Sequence, residues 1–224
     1  MKIDILTVTL GREHYLKNLL DSFDKLSSWQ GHEVNYHLLY QGTPTDVFLE
    51  FIKQFKFNLI MTSFTGPPSS IGIVMNEFKH ICKSDYFWKL DDDAKLSSPH
   101  FLDHIEELCT TYPKAVFSPY PVGLINNPGG VPSKSHHVIY SIWMDTYYTL
   151  RRVNHVGGFA RIMPSNLLQN ISFSDTHSED TECSAYFNRE NIPMYYLENA
   201  LIVEHQESTL GQHERYKEYF KGRF

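Results

Sequence analysis

Cysteine is scarce in this chain of 224 residues. Only Cys82, Cys109 and Cys183 occur, at no spacing that would grip a metal. So sparse and odd a set excludes a disulfide framework and points to reduced thiols in a cytosol-like compartment. Long apolar runs are missing as well, so no stretch reaches membrane-spanning length, and the opening Met1-Lys2-Ile3-Asp4-Ile5-Leu6 lacks a signal-peptide pattern. The expectation is a soluble, cytoplasmic protein. There is no surplus of positive charge: 20 basic residues face 26 acidic ones, a net charge of −6. That removes any bulk electrostatic reason for tight, sequence-blind binding to nucleic acid, although a local basic groove stays open. Internal repeats and linkers are absent too. The chain therefore reads as one domain over 1–224, with a first half of about 97 residues and a second half over about 98–224.

What is present is an ordinary globular composition, 42% apolar and 21% charged, rich in Tyr (14) and Phe (15). The first half alternates strand and helix. Ile3 to Thr9 is an apolar strand, and Tyr15, Leu16, Leu19, Leu20, Phe23 and Leu26 recur at helical spacing. Asn35 to Tyr40 is the next strand, and Thr43-Pro44 supplies a cap and first-turn proline for a helix through Phe55. Phe57 to Met61 is a third strand. A helix carrying Ile71, Val74, Phe78 and Ile81 follows the Gly66-Pro67-Pro68-Ser69 turn, and Tyr86 to Leu90 is a fourth strand. This alternation predicts an α/β fold with a mostly parallel sheet, whose ligands bind beyond the carboxyl ends of the strands.

The second half has a different grain. A helix is expected from Ser98-Pro99, a strand over Ala115 to Tyr120, and a Pro-, Gly- and Asn-rich loop over 121–137. An aromatic stretch from Tyr140 to Leu150 and the Val156-Gly157-Gly158-Phe159 turn come next. Short helices near Pro164 to Asn170 and Ser178 to Arg189, a strand from Ala200 to Glu204 and a polar tail complete the chain.

Three adjacent carboxylates, Asp91-Asp92-Asp93, close the fourth strand. Side by side they repel one another, and a hard divalent cation removes the objection by taking carboxylate oxygens while leaving positions for phosphates. On an extended backbone the first and third residues project to the same side, so Asp91 and Asp93 are expected to face one ion together. The bland alternative is a solvated acidic turn.

Taken in order, these segments resemble a glycosyltransferase of the GT-A fold, similar to family 2 members, over nearly the whole chain. Thr7-Val8-Thr9-Leu10-Gly11-Arg12 resembles the family's first strand and nucleotide-facing turn, and Gly66 through Asn76 the segment over the nucleoside. Leu90-Asp91-Asp92-Asp93 looks like the DxD signature, Gly157-Gly158-Phe159 the glycine turn of the acceptor half, and Ser178-Glu179-Asp180-Thr181-Glu182 the Glu-Asp motif. Val203-Glu204-His205 is similar to the late strand whose histidine completes the metal site. One departure is visible. The family's second strand commonly ends in an acidic residue that reads the base, whereas Leu39-Tyr40-Gln41-Gly42 carries none, which leaves the base open.

The resemblance implies a GT-A fold: a Rossmann-like sheet with helices on both faces and a small acceptor-side subdomain. It implies Mn²⁺ or Mg²⁺ held by Asp91, Asp93 and His205, with Asp93 favoured for direct contact. An imidazole nitrogen among oxygens tilts the choice toward Mn²⁺. It also implies a nucleoside-diphosphate sugar, a UDP-sugar being the expected donor, contacted by Thr9, Arg12, Gln41, Ser70, Asn76, Asp91, Asp92 and Gly158. Asp180 is the expected general base, with Glu179 next in line, and a direct displacement would invert the anomeric centre. Against these stand plainer readings. Asp180, Glu179 and Glu182 are also good first-turn helix residues, Thr9 and Ser70 good caps, and Arg12 a good helix-start cation. Lys89 is expected in solvent, and Trp88, Trp143 and Tyr147 are stacking candidates whose commoner fate is the core. His213, Arg215 and Lys217 are candidates for a lid over the diphosphate.

The acceptor is expected to be a glycan or another hydroxyl. A hydroxylated base in DNA, as in viral DNA modification within a host cytoplasm, is an alternative for which Lys134, Arg151, Arg152 and Arg161 leave room. A nucleotidyltransferase is a second alternative, and Leu10-Gly11-Arg12-Glu13-His14, poor in Gly and Lys, counts against it.

Overall fold

The protein is described here from a computed structural model over residues 1–26, 31–66, 68–119, 121–123, 136–141, 144–175, 178–208, 210–211 and 214. Strand β1 (Lys2–Thr9) buries side chains on both faces, as a central parallel strand must. Helix α1 (Glu13–Asp24) turns Leu16, Leu19, Leu20 and Phe23 inward. Strand β2 (Glu33–Gln41), helix α2 (Asp46–Ile52), strand β3 (Asn58–Phe64), helix α3 (Ile71–Ile81) and strand β4 (Tyr86–Leu90) follow. β1 runs parallel to β2 in step from Lys2↔Glu33 to Thr9↔Tyr40. Its other edge pairs parallel with β4, from Ile3↔Tyr86 to Leu6↔Lys89. The strand order β3-β2-β1-β4 reverses direction of growth at β1, which opens a crevice between the carboxyl ends of β1 and β4.

The second half completes the sheet with strands of mixed direction. Strand β5 (Ala94–Leu96) follows the aspartates at once, where a turn into a helix is expected; helix α4 (Phe101–Thr111) begins only after His100. Next come β6 (Val116–Pro119), β7 (Pro121–Val122), a hairpin of β8 (His136–Ser141) and β9 (Thr146–Val153), and β10 (Ala160–Pro164). Helices α5 (Ser165–Gln169) and α6 (Glu179–Arg189), then β11 (Met194–Leu197) and β12 (Val203–His205), end the described elements. The nine-stranded order is β3-β2-β1-β4-β10-β6-β11-β9-β8, and β5, β12 and β7 form a separate small sheet. β10 and β11 have no counterpart in the sequence reading: Ala-Arg-Ile-Met-Pro and Met-Tyr-Tyr-Leu are too short, and one carries a charge, to show a period. β10 inserts antiparallel beside β4, which sets Arg161 opposite Lys89.

Side chains alternate across the sheet into two cores. Ile3, Ile5, Trp88 and Leu90 pack under α1, α2 and α4, while Leu6 and Phe87 pack under α3, α5 and α6. The helix over Asp46–Ile52 is capped by Thr45, whose hydroxyl accepts from Phe48 N at 3.1 Å, two residues past the expected cap Thr43, so Pro44 precedes the helix and is not in its first turn. No helix among the described residues is long and apolar enough to cross a membrane.

Candidate active site

The aspartates sit where β4 leaves the sheet, at the carboxyl-end crevice. Residues 91–93 form a turn closed by Ala94 N donating to Asp91 O at 3.1 Å, so the extended geometry that would aim Asp91 and Asp93 at one point does not hold. Instead the three carboxylates diverge. Asp92 is buried and accepts from Thr9 Oγ1 at 2.6 Å and from Arg12 Nε at 3.2 Å, with Arg12 Nη2 closing on its second oxygen. Arg12 Nη1 also donates to Asp93 Oδ2 at 2.9 Å. One guanidinium thus bridges two adjacent carboxylates, supported by the Tyr15 ring 5.6 Å away. Its charge state is not in question, because Asp92 and Asp93 outweigh a desolvation that acts the other way. Gly11 makes the tight turn that presents Arg12: its φ is +94°, and a Cβ there would meet the Tyr40 hydroxyl at 3.3 Å.

Asp93 reaches a second partner from the far end of the chain. His205 ends β12, which pairs with β5 so that His205 lies opposite Ala94. That register brings His205 Nε2 to 3.3 Å from Asp93 Oδ2, with the imidazole enclosed and tilted against Phe159. Glu207, two residues on, completes a group of three whose ligand atoms all lie within 4.8 Å of one another. Two carboxylates and an imidazole are a donor set suited to Mn²⁺ or a similar divalent ion. Among the described residues this ion-sized group contains Asp93 and His205 but not Asp91. Glu207 was not singled out from the sequence. A carboxylate two residues beyond a strand-end histidine is the signal that would have found it.

Asp91 joins a different network. Its side chain, 39% exposed, accepts from Lys89 Nζ, which also donates to Gly158 O at 2.8 Å and stands 3.3 Å from Glu179 Oε1. Lys89 is therefore not in solvent; its side chain is 7% exposed. Burial would strip the ammonium of its proton, but Asp91 and Glu179 outweigh that and hold it charged above the usual lysine range. Loss of solvent around it pushes the Asp91 carboxyl up, against the pull of Lys89 and with the help of Asp93. Arg161 is wholly enclosed, 3.9 Å from Glu179 Oε1, and its nitrogens meet no hydrogen-bond acceptor among the described residues. It cannot line a nucleic-acid groove. Gly158 has its place because a Cβ there would run into the Glu179 carboxylate and come within 3.1 Å of Lys89 Nζ.

The two candidate bases part company. Glu179 is buried between Lys89 and Arg161, whereas Asp180 is half-buried and faces His155. Asp180 Oδ1 accepts from Thr181 N at 2.8 Å, and Oδ2 lies 3.6 Å from His155 Nε2. Desolvation pushes its carboxyl up, but the His155 hydrogen bond and the Arg161 charge outweigh it and pull the value down to about 2.

Other expected donor contacts carry structural duties. Gln41 exchanges two hydrogen bonds with the Ser69 backbone, at 3.2 and 2.7 Å. Ser70 caps α3 by accepting from Ile73 N, and Asn76 exchanges two bonds with the Phe173 backbone, at 2.7 and 3.2 Å. Contact of these groups with a nucleotide would have to displace those bonds. Trp88 stacks on Phe101 in the core, while Tyr147 is exposed and leans on Tyr140. Arg151 pairs with Glu198 at 3.0 Å, and Arg152 is exposed. Trp143, Lys134, His213, Arg215 and Lys217 lie outside the described residues.

No family model matches the chain, and no curated protein matches it in sequence. Solved structures do. The chain superposes on S. aureus TarS 1-349 with a TM-score of 0.66 at 18% identity, covering 91% of this chain and 60% of that one. On the same protein in complex with UDP-GlcNAc the TM-score is 0.65 at 15% identity, over 93% and 60%. On GalNAc-T7 with UDP, GalNAc and Mn²⁺ it is 0.68 at 10% identity, over 94% and 44%. The protein thus has the α/β, GT-A-like fold of these glycosyltransferases and spans three fifths or less of their length.

Proposed function

We propose that the protein is a metal-dependent glycosyltransferase that moves a sugar from a nucleoside diphosphate, UDP being the favoured one, to a hydroxyl of a glycan or another acceptor. The observation that carries this reading is the meeting of Asp93 and His205 at 3.3 Å, beside Glu207, at the carboxyl ends of the parallel strands. Structures of the same fold hold UDP-GlcNAc in one case and UDP, GalNAc and Mn²⁺ in another. The donor set of Asp93, His205 and Glu207 suits a divalent ion. When bound, such an ion supplies Lewis acidity to the departing diphosphate.

The remaining work falls to the chain's own groups. Arg12, about a third exposed, holds Asp92 and Asp93 and is placed to turn its charge toward a phosphate. Thr9 fixes Asp92 so that the turn keeps its shape. Lys89 and Glu179 tie the aspartate turn to the first turn of α6, which fixes where Asp180 stands relative to the donor. Asp180 takes the proton of the attacking hydroxyl, and attack from the face opposite the diphosphate inverts the anomeric carbon.

Thermal melting with a panel of UDP-sugars, with and without MnCl₂, tests the reading. The expected result is a rise of several degrees that needs both components, since a ligand at 100 times its Kd adds about 2.7 kcal/mol. Asp93→Asn and His205→Ala each abolish it. A panel that shifts nothing in the wild type, or shifts all three proteins alike, overturns the proposal.

A further inference from the structure

The loop that carries His155 is fastened along one stripe of α6. Asp180, Ser184 and Asn188 recur every fourth residue and so share a face of the helix. Asn188 Nδ2 donates to Asn154 O at 2.7 Å, and Val156 N donates to Ser184 Oγ at 3.2 Å. Gly157 N adds a bond to the Tyr196 hydroxyl at 3.0 Å. Both neighbours of His155 are thereby anchored, and the third member of the stripe, Asp180, receives its imidazole at 3.6 Å. A chance surface ion pair has no such backing. Both side chains are about 30% exposed, so solvent and a ligand can reach the pair.

We propose that His155 is the group to which Asp180 passes the proton of the acceptor hydroxyl, so that the pair, not the lone carboxylate, completes sugar transfer; this rests on the transferase reading above. The acceptor oxygen bonds to the anomeric carbon as the bond from that carbon to the diphosphate oxygen breaks, and the nucleoside diphosphate leaves with the electron pair. The hydroxyl proton moves to Asp180 Oδ2 and on to the bare Nε2 of a neutral imidazole. Water then takes the Nδ1 proton. An imidazole is the side chain suited to receive the proton that Asp180 captures. A gap of 3.6 Å without substrate is usual for such pairs, which tighten in the reacting complex.

The other groups facing the pair do not titrate in its place. Arg161 of β10 is permanently charged. Burial pushes the Tyr196 phenol of β11 up to about 12 and the Cys183 thiol of α6 to about 11. Glu179 is taken by Lys89 and Arg161.

The test is cleavage of UDP-sugars by water or acceptor, with MnCl₂, from pH 4.5 to 9. The wild type should lose rate on the acid side, where a proton-accepting group is already occupied. His155→Gln should fall roughly 100-fold at pH 8, the low end of the usual range for general acid–base groups, and should lack that acid limb. His155→Gly should recover rate with added imidazole. An unchanged acid limb in His155→Gln, or a His155→Gly protein that melts as the wild type does yet gains nothing from imidazole, overturns the proton role alone. A wild type that cleaves no UDP-sugar at any pH overturns the transferase reading and this proposal with it.

Discussion

At the scale of single residues, the site is a chain of buried charges in which each is held by the next. Lys89 is the member on which most depends, because it stands between Asp91 and Glu179 and also donates to Gly158 O. Replacing it by Met keeps the volume of its stem but leaves Glu179 facing only Arg161 at 3.9 Å. Lys89→Met should lose about 3–5 kcal/mol in urea denaturation, the cost of breaking a buried pair on one side. Adding Glu179→Gln should restore part of it, since no carboxylate then stays uncompensated. A double variant no better than the single one would show that Lys89 stabilises by packing alone. Its burial was not legible in the sequence. Lys89 alternates with apolar residues, as a solvent-facing strand residue does, and it is enclosed only by groups from distant segments, the Gly158 turn and Glu179 of α6.

At the scale of elements, the parallel half depends on how β4 is delivered to β1. Asp4 in β1 is buried and accepts from Lys83 N at 2.7 Å and Ser84 N at 2.9 Å, the two residues that open the turn into β4. It also accepts from Asn35 Nδ2 at 3.0 Å and faces His37 Nε2 at 3.4 Å, both in β2. One carboxylate therefore joins three strands. Burial works against its charge, yet these bonds together hold its carboxyl well below the usual range. A depressed value stabilises the fold above the unfolded carboxyl pKa and is lost as pH falls through the folded one. Asp4→Ala should cost about 2–4 kcal/mol at pH 7, with two amides stranded. Its deficit against the wild type should shrink as pH drops below about 4. Urea midpoints measured from pH 7 to 2 check this, and a deficit constant over that range would count against Asp4 as the acid-sensitive joint. The helices and strands of this half follow the apolar period closely. β10 and β11 do not, because strands of four or five residues take their identity from the neighbours they pair with.

At the scale of the whole molecule, β4 pairs with β1 on one edge and β10 on the other, so the first and second halves of the chain share one continuous sheet. We propose on this ground that they form a single folding unit. Near-UV and far-UV circular dichroism should report one coincident urea transition, and two separated transitions would divide the chain into independent parts. The sequence alone was enough to determine the α/β class, the mostly parallel pairing of the first strands and the place of the aspartates at the end of the fourth. Apolar spacing and capping residues are local, and they survive without knowledge of the neighbours. Tertiary structure alone decided which charges would touch: Asp93 with His205 and Glu207, Asp91 with Lys89, Asp180 with His155. Those pairings join segments far apart in the chain, and a Coulomb contact depends on a few ångströms that no residue spacing records.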